Sequence, residues 1–117
     1  IIDFHAEATS EKVALGWHLD GKVTAVLGTH THVPTADEWV LPKGTAYITD
    51  IGMVGARQSV IGVKCEQSLT RFLTGELVKM EPVEQGEVIV NAIMLEFDHH
   101  TSRALKISRL SEIVTIS

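Results

Sequence analysis

The sequence has a single cysteine, Cys65, in 117 residues, so no disulfide can close within the chain and no cysteine pair is available as a thiolate metal site. A lone thiol with no base beside it reads as inert, and the missing disulfide framework, with no charged and apolar leader at the start, points to a reducing cytoplasmic setting. Positive charge is also scarce. Ten Lys and Arg against fifteen Asp and Glu give a net charge of −5, which offers no field to a nucleic-acid backbone, so stable DNA binding is not expected. Long apolar runs are absent: Gly28-Thr29-His30 interrupts the run Val23–Leu27 far short of the roughly 18 residues of a membrane span. No Gly-x-Ser-x-Gly occurs, and Gly52, Gly55 and Gly62 lack the fixed spacing and following Lys-Ser/Thr of a phosphate-binding loop. Repeats, low-complexity tracts and linkers are absent as well, and the chain opens Ile1-Ile2-Asp3 without an initiator Met, as a processed product or a piece of a longer chain would.

What is present suits one folded domain: 44% hydrophobic residues and 21% charged. Ile1–Phe4 is short, apolar and β-branched, as at the end of a buried strand. Glu7–Leu19 contains good helix formers, places Val13, Ala14 and Trp17 on one face, and stops at Asp20-Gly21. Val23–Leu27 is too short for a helix and too continuous for a half-exposed strand, so it predicts a strand buried on both faces and ended by Gly28. Strand, helix and strand in this order form a βαβ unit, whose chemistry lies beyond the carboxyl ends of its strands. A loop is expected from Pro34 to a strand at Thr45–Thr49, then a helix at Cys65–Thr74 with Leu69, Phe72 and Leu73 at helical spacing. Gly86–Phe97 and Arg103–Leu110 predict two strands joined by a polar turn at Asp98–Ser102.

The strongest chemical signal is Gly28-Thr29-His30-Thr31-His32, because side chains at i and i+2 of an extended segment face the same way, about 6–7 Å apart. Two such imidazoles can share one ion or hold two, while small neighbours leave room; the bland alternative is a pair of surface histidines. His5, at the end of the neighbouring predicted strand, adds a third imidazole on the same rim, although a lone His there is more often structural. Asp3 could share its face as a ligand, as the carboxylate that orients an imidazole, or as a strand-end cap. His99-His100 fall in the turn, His18 on the polar side of its helix, and Asp37-Glu38 in a loop, where each reads as solvated, with Asp37-Glu38 otherwise within reach of the histidines.

Three blocks then carry a resemblance: Asp3-Phe4-His5-Ala6-Glu7-Ala8-Thr9-Ser10-Glu11-Lys12, Gly28-Thr29-His30-Thr31-His32-Val33, and Thr45-Ala46-Tyr47-Ile48-Thr49-Asp50-Ile51-Gly52-Met53. Together they closely resemble the carboxyl-terminal half of the YmdB-like branch of the calcineurin-like metallophosphoesterases, over Asp3 to about Leu110. The resemblance implies an α/β fold, part of a four-layer αββα sandwich, with residues 1–117 as the C-terminal portion of one metallophosphoesterase domain. It implies a cytoplasmic enzyme with two metal ions, iron or manganese and alternatively zinc, that hydrolyses phosphodiesters such as 2′,3′-cyclic nucleotides by hydroxide attack. By position, His5 and His30 would hold one ion and His32 the other. The family's Gly-Asp strand end, bridging Glu beside Asn, and Asn-His pair with its leaving-group acid have no counterpart here; the sole Asn is Asn91, and Ala56 stands where Pro is expected. The chain alone is therefore expected to be inactive and poorly stable, to need a missing N-terminal half as partner, and to be free to form a homo-oligomer. Two other readings stay open, a mononuclear three-histidine hydrolase and a non-enzymatic binding domain.

Overall fold

The computed structural model describes residues 1–116 and is mixed α/β with two sheets. In chain order the elements are β1 (Ile2–His5), α1 (Thr9–Leu19), β2 (Ala25–Thr29), β3 (Trp39–Val40), β4 (Ala46–Ile48), β5 (Val54–Ala56), α2 (Cys65–Thr74), β6 (Gly86–Phe97) and β7 (Ala104–Ile116). The first sheet has the order β1-β2-β4-β3, with β1, β2 and β4 parallel and β3 antiparallel to β4. The second has the order β5-β6-β7. Two compact units divide the chain: Ile1–Gly52 with Asn91–Leu110, and Met53–Val90 with the chain from Ser111.

In the first unit the expected βαβ connection forms, and β2 is buried throughout Ala25–Gly28. Alternate side chains explain why the run is continuously apolar. Ala25 and Leu27 join Ala46, Ile48, Ala104 and Ile107 in one core cluster, while Val26 joins Tyr47, Leu41 and the half-buried Val13, Leu15 and Leu19 of α1 in another. The helix stops where the sequence implies, with Gly21 at φ +81 donating its N–H to Thr45 Oγ1 at 2.8 Å. Asp20 turns its carboxylate to the N–H groups of Lys43 and Thr45, which ties the helix end to the start of β4.

The buried face of α1 differs from the expected one. Val13 is half-buried, but Ala14 and Trp17 are exposed, and Lys12 and Gly16 are buried instead. The reason is the close approach of the sheet: a Cβ at Gly16 would stand 2.6 Å from the Tyr47 ring, so only glycine can face that strand. Trp17 packs edge-on against Trp39 at 5.7 Å between ring centroids. β3 and β5, each too short to show a period, were not expected, and β7 runs past Leu110 to Ile116. The Asp98–Ser102 turn joins β6 to β7 as expected, with Asp98 Oδ1 accepting the His100 N–H at 2.7 Å and both His99 and His100 exposed.

In the second unit α2 spans the expected residues and ends in a left-handed Gly75 at φ 73. Its apolar side chains Leu69, Phe72 and Leu73 are all exposed among the described residues, so the helical spacing marks an apolar face that the unit leaves open.

Candidate metal centre

Parallel pairing of β1 with β2 sets His5 opposite Thr29, so His5 and the loop that begins at His30 share the carboxyl-terminal rim of the sheet. His5 Nε2 and His30 Nδ1 lie 3.3 Å apart, with the rings edge to face at 5.1 Å. The tautomer of a neutral His5 follows from its neighbours. Thr29 Oγ1 donates its one hydrogen to Asp3 Oδ1 at 2.9 Å, so it must accept from His5 Nδ1 at 3.2 Å, and the lone pair of His5 is left on Nε2, facing His30. Asp3 thus acts on His5 through a threonine hydroxyl.

The separation suits adjacent ligands. Two nitrogens bound at about 2.0–2.1 Å in a tetrahedral arrangement lie about 3.4 Å apart, close to the observed spacing. His32 is two residues further along the same exposed loop. Among the described residues no group of three or more His, Cys, Asp or Glu side chains is gathered as a ligand set, so the three histidines do not form a common three-imidazole cage. The donor chemistry of His5 and His30 fits a divalent ion, and the described residues bring no carboxylate to complete it.

Both loop histidines have backbone in the left-handed region, His30 at φ 131 and His32 at φ 66, where a residue with a Cβ is strained. Between them the Thr31 N–H donates to Asp50 Oδ2 at 2.8 Å. The other oxygen of Asp50 accepts the Gly52 N–H at 2.9 Å, and Lys12 Nζ reaches Oδ2 at 3.2 Å in a pair that is 1% exposed on both sides. Burial pushes the Asp50 carboxyl up, but the Thr31 and Gly52 amides and the Lys12 ammonium outweigh it and hold the group below its ordinary value. Gly28, expected only to end the strand, lies inside β2 for a different reason: a Cβ there would stand 1.7 Å from the Thr49 carbonyl oxygen and 3.1 Å from Lys12 Cδ.

Asp37 and Glu38 serve neither the histidines nor bulk water alone. Asp37 accepts from the hydroxyls of Thr35 and Thr49 and from the Thr49 N–H, and Glu38 Oε2 lies 2.9 Å from Arg109 Nε. For Asp37 burial again raises the pKa, and the threonine donors bring it below its ordinary value. The reading of residue types passed over Lys12, Thr29 and Asp50. One signal was available: Lys12 shares the stripe of Leu15, Gly16 and Leu19, and a charge on the buried side of a helix demands a partner.

The sequence profile of the YmdB-like protein family matches residues 1–110. Over 109 residues, 93% of this chain, the sequence is 50% identical to the 2′,3′-cyclic-nucleotide 2′-phosphodiesterase of Bacillus subtilis strain 168, of which it covers 41%. Among solved structures it is similar to a novel phosphatase of Mycoplasma pneumoniae, with 45% identity and a TM-score of 0.90 over 97% of this chain and 40% of that one. It is also similar to a hypothetical protein from Thermus thermophilus, with 49% identity and a TM-score of 0.87 over 95% of this chain and 43% of that one. The chain spans about two fifths of the length of these relatives. No helix among the described residues is long and apolar enough to cross a membrane.

Proposed function

Because this chain belongs to the YmdB-like protein family, we propose that it supplies the histidine side of a two-metal centre that hydrolyses phosphodiesters, with 2′,3′-cyclic nucleotides as the substrate class. The observation that carries the reading is the meeting of His5 Nε2 and His30 Nδ1 at 3.3 Å beyond adjacent parallel strands. The name of the Bacillus subtilis relative, 50% identical, supports the substrate class.

In this reading His5 and His30 hold one ion and His32 the other, with iron or manganese as the metals and zinc as the alternative. When bound, the ions would supply Lewis acidity toward the phosphoryl oxygens and would make hydroxide available near neutral pH. The residues of this chain do the holding. The Asp3–Thr29–His5 relay keeps the proton of His5 on Nδ1 and its lone pair on Nε2, and the exposed rim leaves a path for a small nucleotide. The bridging carboxylate, the remaining ligands and the acid for the leaving group come from outside residues 1–117. Residues 1–117 alone are then inactive, because neutral imidazoles cannot hold two dications without carboxylate charge. The protein works in the cytoplasm on a small diffusible substrate.

The test is metal analysis of the purified protein together with hydrolysis of 2′,3′-cyclic AMP. In the full-length protein that contains residues 1–117, two ions per molecule are expected, and His5→Ala, His30→Ala and His32→Ala should each lower metal content and reduce hydrolysis more than about 100-fold. Unchanged metal content and turnover in the three variants would exclude the histidines as ligands.

A further inference from the structure

We infer that the buried Lys12–Asp50 pair holds the His30-Thr31-His32 loop in the shape that presents its histidines, which makes both residues positioning residues of the site. The inference rests on the proposed metal role of His30 and His32, and it assigns a task to two groups that role does not use.

The loop needs such a device. A residue with a Cβ at φ 131 or φ 66 relaxes toward an extended or helical conformation unless something outside it intervenes, and here two such residues flank Thr31. The Thr31 N–H is the handle, and Asp50 Oδ2 takes it at 2.8 Å. Asp50 is itself fixed from both sides, by the Gly52 N–H on Oδ1 and by its own N–H, which donates to Thr35 Oγ1 at 2.9 Å. A carboxylate 1% exposed would be a costly handle without a counter-charge, and Lys12 brings one 38 residues away in sequence by laying its aliphatic stem beside Gly28. The absence of a side chain at Gly28 is therefore what lets α1 reach the histidine loop. The Ile51 N–H, donated to the Gly28 carbonyl at 3.0 Å, closes the same junction from the β4 side.

A purely structural salt bridge would stabilise the fold without touching metal affinity, and the test uses that difference. In the purified, metal-stripped full-length protein that contains residues 1–117, Asp50→Asn should weaken Mn(II) binding in calorimetry about 10–100-fold and speed hydrogen exchange at the Thr31 amide. Asp20→Asn is the control, since its carboxylate also accepts two backbone N–H groups, the part-buried one of Lys43 and the buried one of Thr45, but at the opposite end of β4. It should leave Mn(II) affinity and Thr31 exchange within about twofold of the parent. Lys12→Met, which keeps the stem beside Gly28 and both oxygens of Asp50, should move both readouts in the direction of Asp50→Asn, and it carries the test if that variant does not fold. Equal losses in Asp20→Asn and Asp50→Asn, or parental values in Lys12→Met, would overturn the inference. Should the parent protein bind no Mn(II), the metal reading falls, and exchange at Thr31 alone then decides whether the pair holds the loop.

Discussion

The unit built on Ile1–Gly52 and the segment Met53–Val90 use apolar residues in opposite ways. In the first, Val26, Ala46 and Ile48 are at most 1% exposed, and strand β2 is covered on both faces. In the second, Phe72 and Leu73 of α2 are each 83% exposed and Leu77 is 97% exposed. The contrast teaches that a periodic apolar face says which side of an element avoids water, and leaves open what surface covers it. It also separates rigidity from availability. The histidine loop is held by a sheet whose strands approach too closely for a methyl group, whereas α2 offers apolar side chains that the described residues leave largely exposed.

The sharpest way to break the contrast is Gly28→Ala. With a Cβ placed 1.7 Å from the Thr49 oxygen, β2 and the end of β4 must part, and a loss of more than about 4 kcal/mol is expected in urea denaturation. A loss below about 1 kcal/mol would mean that the two strands separate freely. Next comes Asp50→Ala, which leaves the Lys12 ammonium unpaired in the core, takes the acceptor from two part-buried backbone N–H groups, and should cost about 3–4 kcal/mol by the same measurement. Parental stability in that variant would mean that Lys12 escapes to solvent.

Acid should act on the same region. The folded pKa values of Asp50 and Asp37 lie below their ordinary values, so their contribution is full above about pH 4, where the unfolded carboxyls are ionised, and is lost as the pH falls through the folded values. Melting followed by circular dichroism from pH 6 to pH 3 should decline below about pH 4, and Asp50→Asn should decline less steeply. Identical slopes would remove Asp50 from the acid response. The smallest effect belongs to α2: Phe72→Ala should change stability by no more than about 0.5 kcal/mol, against about 3 kcal/mol for Ile48→Ala. A loss near 2 kcal/mol at Phe72 would show that a surface covers the helix in solution.

Much of the frame was legible in the residues. The βαβ unit, both bounds of α2 and the strand Gly86–Phe97 follow from period and punctuation, signals carried within a dozen residues. The meeting of His5 with His30 was legible too, because parallel neighbours in a βαβ unit end on one rim. The two short strands β3 and β5 were not, since segments of two and three residues show no period and exist only by pairing with partners elsewhere in the chain. Trp17 misled for a related reason: an apolar side chain at helical spacing implies a buried face, but the close fit of Gly16 to Tyr47 rotated α1 so that Trp17 faces outward.

The sequence by itself therefore determined the order of the elements and the rim on which the histidines stand, because local periodicity and chain connectivity are sufficient for both. Only the tertiary structure decided how that rim is held: the approach of Lys12 to Asp50, the contact of Gly28 with Thr49, and the relay from Asp3 through Thr29 that fixes the proton of His5. Each depends on a distance between residues more than twenty positions apart, and such a distance exists only after the sheet has formed.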